Sequence, residues 1–275
     1  MELIEKEGAV NFSDESKELL MFRQSVLGLR VKASDEVKQN EYLLKIDNVK
    51  KFSKGDISAW VGRAKSKKTF ALTMFAAALS GGLELFGKFN AIRPCKVLWI
   101  DTEQSPGDVH RVVKRIKGLV GSEESVYMYG LRPKSPIERI KAIEMLLQFH
   151  GDIEVLILDG VRDLVMDINN PVESTEVMTL LMKWSHDLDI HIATVIHLNK
   201  KDGSSRGHLG TELDNKAQSV IRVTRDETDA STSWVEEVIG RGKGVEKFSF
   251  SVDNQGMPFV VECNFKVDDD DEAPY

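Results

Sequence analysis

GRAKSKKTF, residues 62–70, contains one glycine and four basic residues within nine positions. It follows the pattern G-x-x-x-x-G-K-[ST] of a phosphate-binding loop at Gly62, Lys68 and Thr69. Lys67 stands where that pattern has its second glycine. The stretch therefore predicts a loop for an anionic ligand, with one departure from the pattern.

The segments around this loop predict regular structure. DISAWVG (56–62) predicts a buried strand, and KTFALTMFAAALSGG (68–82) predicts an apolar helix that ends at a glycine pair. Buried strands and helices continue to alternate, which predicts an α/β fold: a mostly parallel sheet with helices on both faces. Four strands without intervening helices follow, and they predict an antiparallel C-terminal extension at one sheet edge: SVIRVTR, SWVEEVIG, KFSFSVD and PFVVECNF.

The bulk composition is that of a globular protein. The chain has 275 residues, of which 41% are hydrophobic and 29% charged, enough for one large domain or for a domain with a small appendage. We predict an N-terminal helical or linker segment over residues 1–45, the α/β domain over 46–265, and an acidic disordered tail over 266–275.

Charge and cysteine usage narrow the class further. A net charge of −7 disfavours a protein that coats nucleic acid over its whole surface, and leaves contact through a local basic loop open. No apolar run approaches the length of a membrane span, and the start is acidic and polar, so neither a membrane partner nor a signal peptide is expected. Cys95 and Cys263 lack metal-ligand spacing and indicate a reducing, cytoplasmic setting, with a disulfide between them left open.

The loop and the helix after it are expected to hold a triphosphate, because helix N-termini attract anions. Lys68 would reach the β and γ phosphates, and the Thr69 hydroxyl would hold Mg²⁺. Lys67 fits the glycine position only if its backbone tolerates that conformation and its side chain points away. The alternative is a basic helix start without a ligand. The residues expected to contact the nucleotide are Gly62, Arg63, Ala64, Lys65, Ser66, Lys67, Lys68, Thr69 and Phe70.

Polar residues also end the strands that follow, where ligands bind in open α/β sheets. Asp101 and Glu103, in IDTEQS, follow the second buried strand, where a carboxylate can polarise an attacking water. Asp159 ends VLILD, a pattern typical of an aspartate that orients Mg²⁺, and His197 ends IATVIH in a position to sense the γ phosphate. Each residue alone also fits an ordinary helix start or strand end. Their order after the loop favours a nucleotide site.

Residues 199–217, NKKDGSSRGHLGTELDNKA, are predicted to form a long loop rich in glycine, serine and basic residues. Lys200, Lys201, Arg206 and His208 are the candidates for contact with a nucleic-acid backbone. The alternative is a flexible surface loop.

Taken together, GRAKSKKT, IDTEQS, LILDG, VIHLNK and RGHLGTELDNKA resemble the motifs of RecA-fold P-loop ATPases over about residues 45–262. The likeness is closest to the RepA-type, AAA-like branch of hexameric replicative helicases and to related ATPases of plasmids, phages and mobile elements. It implies ATP hydrolysis with Mg²⁺, in which Glu103 is the catalytic glutamate, Asp159 a metal residue and His197 a sensor. It also implies that the loop after His197 faces single-stranded DNA.

A later segment, VIGRGKGVEKFSF, resembles the strand that lends cations to the ATP of the neighbouring subunit. Arg241 and Lys243 are the candidates for that role. The resemblance therefore implies a homo-oligomer, expected to be a hexamer, with replication or mobilisation proteins as further partners. The lysine at position 67 remains the one departure from the family pattern.

Three functions stay open at this point. The first is an ATP-driven DNA motor, such as a hexameric helicase. The second is a RecA-like ATPase that binds or regulates DNA without unwinding it. The third is a nucleotide-binding scaffold without catalysis. The basic loop and the late Arg-x-Lys favour the first, whereas the acidic net charge favours the others.

Overall fold

The computed structural model describes residues 14–37, 39–199 and 203–262. They form two compact units, divided between Gln39 and Asn40. The first unit contains helix α1 (Asp14–Gly28), whose large apolar side chains, such as those of Leu19 and Phe22, are exposed. Among the described residues, no helix combines the length and apolar character needed to cross a membrane.

The second unit contains thirteen strands and five helices among its described residues. The strands are β1 (Tyr42–Ile46), β2 (Val49–Ser53), β3 (Ile57–Gly62), β4 (Glu84–Leu85), β5 (Phe89–Ala91), β6 (Val97–Asp101), β7 (Val126–Gly130), β8 (Val155–Asp159), β9 (His191–His197), β10 (Ser219–Arg225), β11 (Thr232–Gly240), β12 (Phe248–Val252) and β13 (Pro258–Val261). The helices are α2 (Lys68–Gly81), α3 (Pro106–Val120), α4 (Pro136–Phe149), α5 (Pro171–Asp187) and α6 (Gly207–Lys216). A 3-10 turn covers Val161–Leu164.

A nine-stranded sheet forms the centre of this unit, in the order β13-β12-β11-β10-β3-β9-β8-β6-β7. The six strands from β10 to β7 are parallel to one another, and β11, β12 and β13 are antiparallel to their neighbours. The predicted α/β fold class is confirmed. One detail was wrong: β10, expected in the antiparallel extension, pairs in parallel with β3, because α6 supplies the crossover needed for that pairing.

A second, four-stranded sheet has the order β2-β1-β5-β4, and the sequence patterns did not indicate it. It includes β1, so the second unit begins at Asn40, ahead of the boundary after residue 45 proposed from composition. Cys95 is buried and forms no disulfide with any of the described residues. Cys263 and the acidic tail over 266–275 lie outside the described residues.

The strands alternate their side chains between two buried layers. Val155 and Ile157 of β8 belong to the core that also contains α2 and α3 residues, whereas Leu156 and Leu158 belong to the core under α4, α5 and α6. Successive side chains of a strand point to opposite faces, so a continuous apolar strand requires helices on both faces. This arrangement leaves the carboxyl ends of the parallel strands as the polar edge of the sheet.

Helices α2 and α3 have well-defined caps, and the glycine pair predicted to end α2 is confirmed. The Ser105 side chain accepts a hydrogen bond from the Asp108 amide at the start of α3, and Gly121 ends that helix in the left-handed conformation. Gly82 ends α2 in the same way. Hydroxyl N-caps and left-handed glycine C-caps satisfy backbone groups that a helix leaves unpaired.

The prediction of a loop throughout residues 199–217 was wrong, because its second half forms α6. Leu209 and Leu213 are fully buried in the core under this helix. Their four-residue spacing places both on one helical face. The glycines at 207 and 210 and the polar residues around the two leucines obscured that short apolar pattern.

His191 is fully buried at the start of β9 and has a partner at each ring nitrogen. Its Nδ1 lies 2.9 Å from the carbonyl oxygen of Ser53, and its Nε2 lies 2.9 Å from Oγ of Ser58. A carbonyl oxygen can only accept, so Nδ1 donates to it. Burial lowers the His191 pKa from 6.5 to about 4, so at neutral pH the ring is neutral and Nε2 accepts from the serine hydroxyl.

This environment predicts a loss of stability in mild acid. Between pH 6.5 and 4 the unfolded chain binds a proton at His191 and the folded chain does not, so the free energy of unfolding falls as pH falls. The expected contribution is on the order of 3 kcal/mol. Urea unfolding of the wild type and of His191→Gln from pH 7.5 to 4 measures it. The stability advantage of the wild type should shrink across this window, and parallel curves would contradict the assignment.

Candidate active site

The loop between β3 and α2 adopts an unusual backbone. Lys65 and Lys67 have φ values of 65° and 67°, in the left-handed region that favours glycine, with Ser66 between them. Successive amides around left-handed residues form concave nests that bind anions. Lys67 is also the N-cap residue of α2, without a side-chain capping bond. Lys67 therefore adopts the backbone conformation that the P-loop pattern requires at its second glycine.

Gly62 is the one position of the loop where close packing requires glycine. A β-carbon there would lie 2.3 Å from the Val223 carbonyl oxygen of β10 and 2.6 Å from Oγ of Ser66. The Ser66 side chain is buried, and its hydroxyl has no hydrogen-bond partner among the described residues. Buried polar groups are normally paired, so this orphaned hydroxyl fits a phosphate oxygen as its partner.

The Lys68 ammonium group is hydrogen-bonded to the backbone at the start of the loop. Its Nζ donates to the carbonyl oxygens of Gly62 at 2.9 Å and Arg63 at 3.1 Å, and it lies 3.1 Å from Nδ1 of His197. Burial lowers the Lys68 pKa to about 8, while the charges of Asp159 and Glu103 oppose that shift. The side chain therefore stays mostly charged at neutral pH and is suited to bind phosphate oxygens.

A hydroxyl and a carboxylate meet beside the loop. Thr69 Oγ1 donates to Oδ2 of Asp159 at 3.0 Å, at the carboxyl end of β8. Burial, followed by the charge of Asp101, raises the Asp159 pKa to about 7. A bound divalent cation would lower the Asp159 pKa again, because it favours the ionised carboxylate. Hydroxyl and carboxylate oxygens are ligands that Mg²⁺ accepts, with phosphate and water completing its shell. The pair therefore fits the predicted magnesium site.

Glu103 and Asp101 have separate roles. Asp101 is fully buried, and its Oδ1 accepts the backbone amides of Glu103 at 3.0 Å and Gln104 at 2.7 Å, so it shapes the turn after β6. Glu103 lies within that turn, and its Oε1 is 3.7 Å from Nε2 of His197. His197 lowers the Glu103 pKa, and the Lys68 charge acts in the same direction. Glu103 is therefore the carboxylate left available for chemistry.

One cavity of about 560 Å³ collects these groups. The cavity brings together Lys68, Thr69, Glu103, Asp159 and His197, as the sequence predicted. Three arginines that the sequence reasoning missed also line it: Arg111, Arg115 and Arg162.

Comparison with known families agrees with this geometry. A family model described as AAA domain matches residues 29–203, more than half of the chain. The chain belongs to the AAA domain family. It is thus a P-loop ATPase of the RecA-like class, which confirms the coarser part of the resemblance. A comparison with curated proteins gave no match.

The missed arginines of this AAA domain had a signal in the sequence. Arg111 and Arg115 are four residues apart, on one face of a helix that begins just after Glu103. The Arg115 guanidinium lies 4.2 Å from the centre of the Phe70 ring, and its Nε donates to the Gly256 carbonyl oxygen at 2.9 Å. Arg162 follows Asp159 by three residues. The helical periodicity of the segment after Glu103 would have identified Arg111 and Arg115.

Apart from Gly62, which lines neither, the expected nucleotide residues divide between two cavities. Lys65 through Phe70 line the cavity with the acids. Arg63 and Ala64 line a second cavity, of about 620 Å³, together with the end of β10. Ser66 borders both.

The candidates for nucleic-acid contact are only partly described. Arg206 and His208 are exposed at the start of α6, and the Arg206 amide donates to the His197 carbonyl oxygen at 3.1 Å. Exposed Arg206 therefore lies directly beside His197. Lys200 and Lys201 lie outside the described residues.

Arg241 and Lys243 lie far from the Lys68 of their own chain. Gly240 pairs with Ser219, which pairs with Ser58, so the segment after β11 lies at the amino ends of the parallel strands. The phosphate-binding loop lies at the opposite, carboxyl ends. The structure therefore does not bring these two cations into the chain's own cavity.

Glu237 fixes the segment that carries Arg241 and Lys243. Both of its carboxylate oxygens lie 2.7 Å from Nζ of buried Lys51. Oε1 also accepts the Ser219 hydroxyl at 2.7 Å, and Oε2 accepts the Val245 amide at 3.2 Å. The segment between Gly240 and Val245 is thus held at both ends.

Proposed function

We propose that this AAA domain is an ATP-hydrolysing motor that acts on single-stranded DNA, of the RepA-type helicase class or an accessory ATPase of a mobile element. The observation that supports the proposal is one cavity lined by Lys68, Thr69 and Asp159 together with Glu103 and His197. Binding groups and a candidate base on separate strand ends are what phosphoryl transfer to water requires.

The contacts support a role for each of these residues. Lys68 and the loop amides bind the β and γ phosphates, and Thr69 and Asp159 would hold Mg²⁺, which neutralises charge on those phosphates when bound. Glu103 accepts a proton from the attacking water. His197 accepts from Lys68 at Nδ1, which leaves its proton on Nε2, towards Glu103. His197 therefore connects the base to the lysine.

The proposal includes a homo-oligomer, expected to be a hexamer. Arg241 and Lys243 are held on a fixed segment away from their own cavity, as a cation supplied to a neighbouring subunit would be. Such a cation stabilises negative charge on the transferring phosphoryl group. Replication or mobilisation proteins are the proposed further partners.

Phosphate release with Mg²⁺-ATP, with and without single-stranded DNA, tests the proposal. We expect DNA to raise the rate several-fold, and Arg206→Ala to reduce the stimulated rate more than the rate without DNA. Lys183→Ala, which removes an exposed charge on α5, is the matched control. Hydrolysis that DNA leaves unchanged would favour a regulatory ATPase, and a folded protein without any hydrolysis would leave only a scaffold.

A further inference from the structure

Lys67 replaces the glycine of the loop and also reaches out of it. Its Nζ donates to the carbonyl oxygens of Ala230 at 2.8 Å and Ser231 at 2.5 Å, in the connection between β10 and β11. A left-handed conformation costs a residue with a β-carbon free energy that glycine does not lose. The two hydrogen bonds are a property that glycine cannot provide.

The turn that receives Lys67 is an ordered structure. Asp226 and Asp229 organise it by accepting backbone amides of the turn. The Asp226 amide donates to the Thr232 carbonyl oxygen, and the Thr232 amide donates to the Asp229 carbonyl oxygen. Arg225 and Ser251 donate to the same carbonyls as Lys67. Lys67 therefore joins the phosphate-binding loop to a turn with a defined shape.

This turn is also where β11 begins. The strand runs from Thr232 to Gly240, and Arg241 and Lys243 follow it directly. One end of β11 is thus tied to the chain's own nucleotide loop, and the other end leads to the segment held by Glu237. The start of β11, as far as Val235, pairs with β12, and the strand pairs with β10 from Ser233 to Gly240, so a continuous strand connects the two ends.

We propose that Lys67 is a positioning residue that couples the nucleotide loop to the β10–β11 turn, so that nucleotide binding further stabilises the turn and the start of β11. This inference rests on the proposed nucleotide site. The simple alternative is that Lys67 is only a tolerated substitute for glycine. In that case restoring glycine would improve the loop and leave the turn unchanged.

Three variants separate the two explanations. Lys67→Met keeps the β-carbon and a similar length but removes the donor. Lys67→Arg keeps a cationic donor, and Lys67→Gly restores the family pattern. Hydrogen exchange at the Asp226 and Thr232 amides reports on the turn, because both are hydrogen-bonded across it.

Exchange is measured without nucleotide and with Mg²⁺ and a non-hydrolysable ATP analogue at a concentration that saturates each protein. In the wild type we expect the analogue to slow exchange in the turn at least fivefold. Lys67→Met and Lys67→Gly should exchange faster without nucleotide and lose most of that protection, and Lys67→Arg should keep it. Equal turn exchange in the wild type and Lys67→Met would overturn the inference. A wild type that binds no analogue would overturn the proposed function, and the coupling with it.

Discussion

Glu103→Gln is expected to reduce ATP hydrolysis by about a hundredfold or more. The amide preserves the size of the side chain and its place beside His197, where Glu103 Oε1 lies 3.7 Å from Nε2. It cannot accept a proton from water, so the step that needs a base fails. Lys68, Thr69 and Asp159 are unchanged, so nucleotide should still bind.

Single-turnover hydrolysis and equilibrium binding of a fluorescent ATP analogue separate these two effects. Glu124→Gln is the matched control, because Glu124 lies in the exposed segment before β7 and loses the same charge. Its rate should equal that of the wild type. A Glu103→Gln protein that hydrolyses ATP at the wild-type rate would remove Glu103 from the mechanism.

A mixing experiment extends this prediction to the proposed oligomer. Glu103→Gln subunits keep Arg241, and Arg241→Ala subunits keep Glu103, so neither protein alone has a complete site if the cation acts in trans. Mixed in equal amounts, they should regain part of the wild-type rate through interfaces that combine the two intact residues. Recovery that never exceeds the sum of the separate rates would show that Arg241 does not act across subunits.

The polar residues at the strand ends could be predicted from the sequence, because each directly follows or ends a recognisable apolar strand. Glu103, Asp159 and His197 each end or follow an apolar strand, and parallel strands bring their carboxyl ends to one edge. The sequence could not place Arg241, because its distance from Lys68 depends on the register of β10 with β3. That register is a long-range pairing without a local pattern.

The regions that local patterns misjudged were rich in glycine or lysine. Gly207 and Gly210 concealed α6, whose helix depends on Leu209 and Leu213 entering the core. In the sequence, Lys67 is only a departure from the P-loop pattern. A sequence pattern specifies residue types and does not specify which atoms a side chain contacts. The partners of Lys67 in the β10–β11 turn are more than 160 residues away in sequence. Tertiary contacts, rather than composition, decided both cases.

Asp159→Asn is expected to stabilise the protein and to abolish its activity. Burial and Asp101 raise the Asp159 pKa from 3.8 to about 7, so the folded chain holds this proton where the unfolded chain has lost it. The free energy of unfolding therefore falls as pH rises from about 4 to 7, by on the order of 4 kcal/mol. Asparagine is neutral throughout and can still accept the Thr69 hydroxyl. It cannot give Mg²⁺ an anionic ligand, so hydrolysis should fall by about a hundredfold or more.

Thermal unfolding at pH 8 without nucleotide or magnesium measures the stability effect. The Asp159→Asn protein should melt roughly 5 to 10 °C above the wild type, and the two should converge as pH falls towards 4. Mg²⁺-ATP should then raise the melting temperature of the wild type much more than that of the variant, because it binds the ionised carboxylate. Asp187→Asn, at an exposed position on α5, controls for the loss of one charge. An Asp159→Asn protein that is less stable than the wild type at pH 8 would contradict the prediction. It would mean that the ionised Asp159 carboxylate stabilises the fold despite its burial beside Asp101.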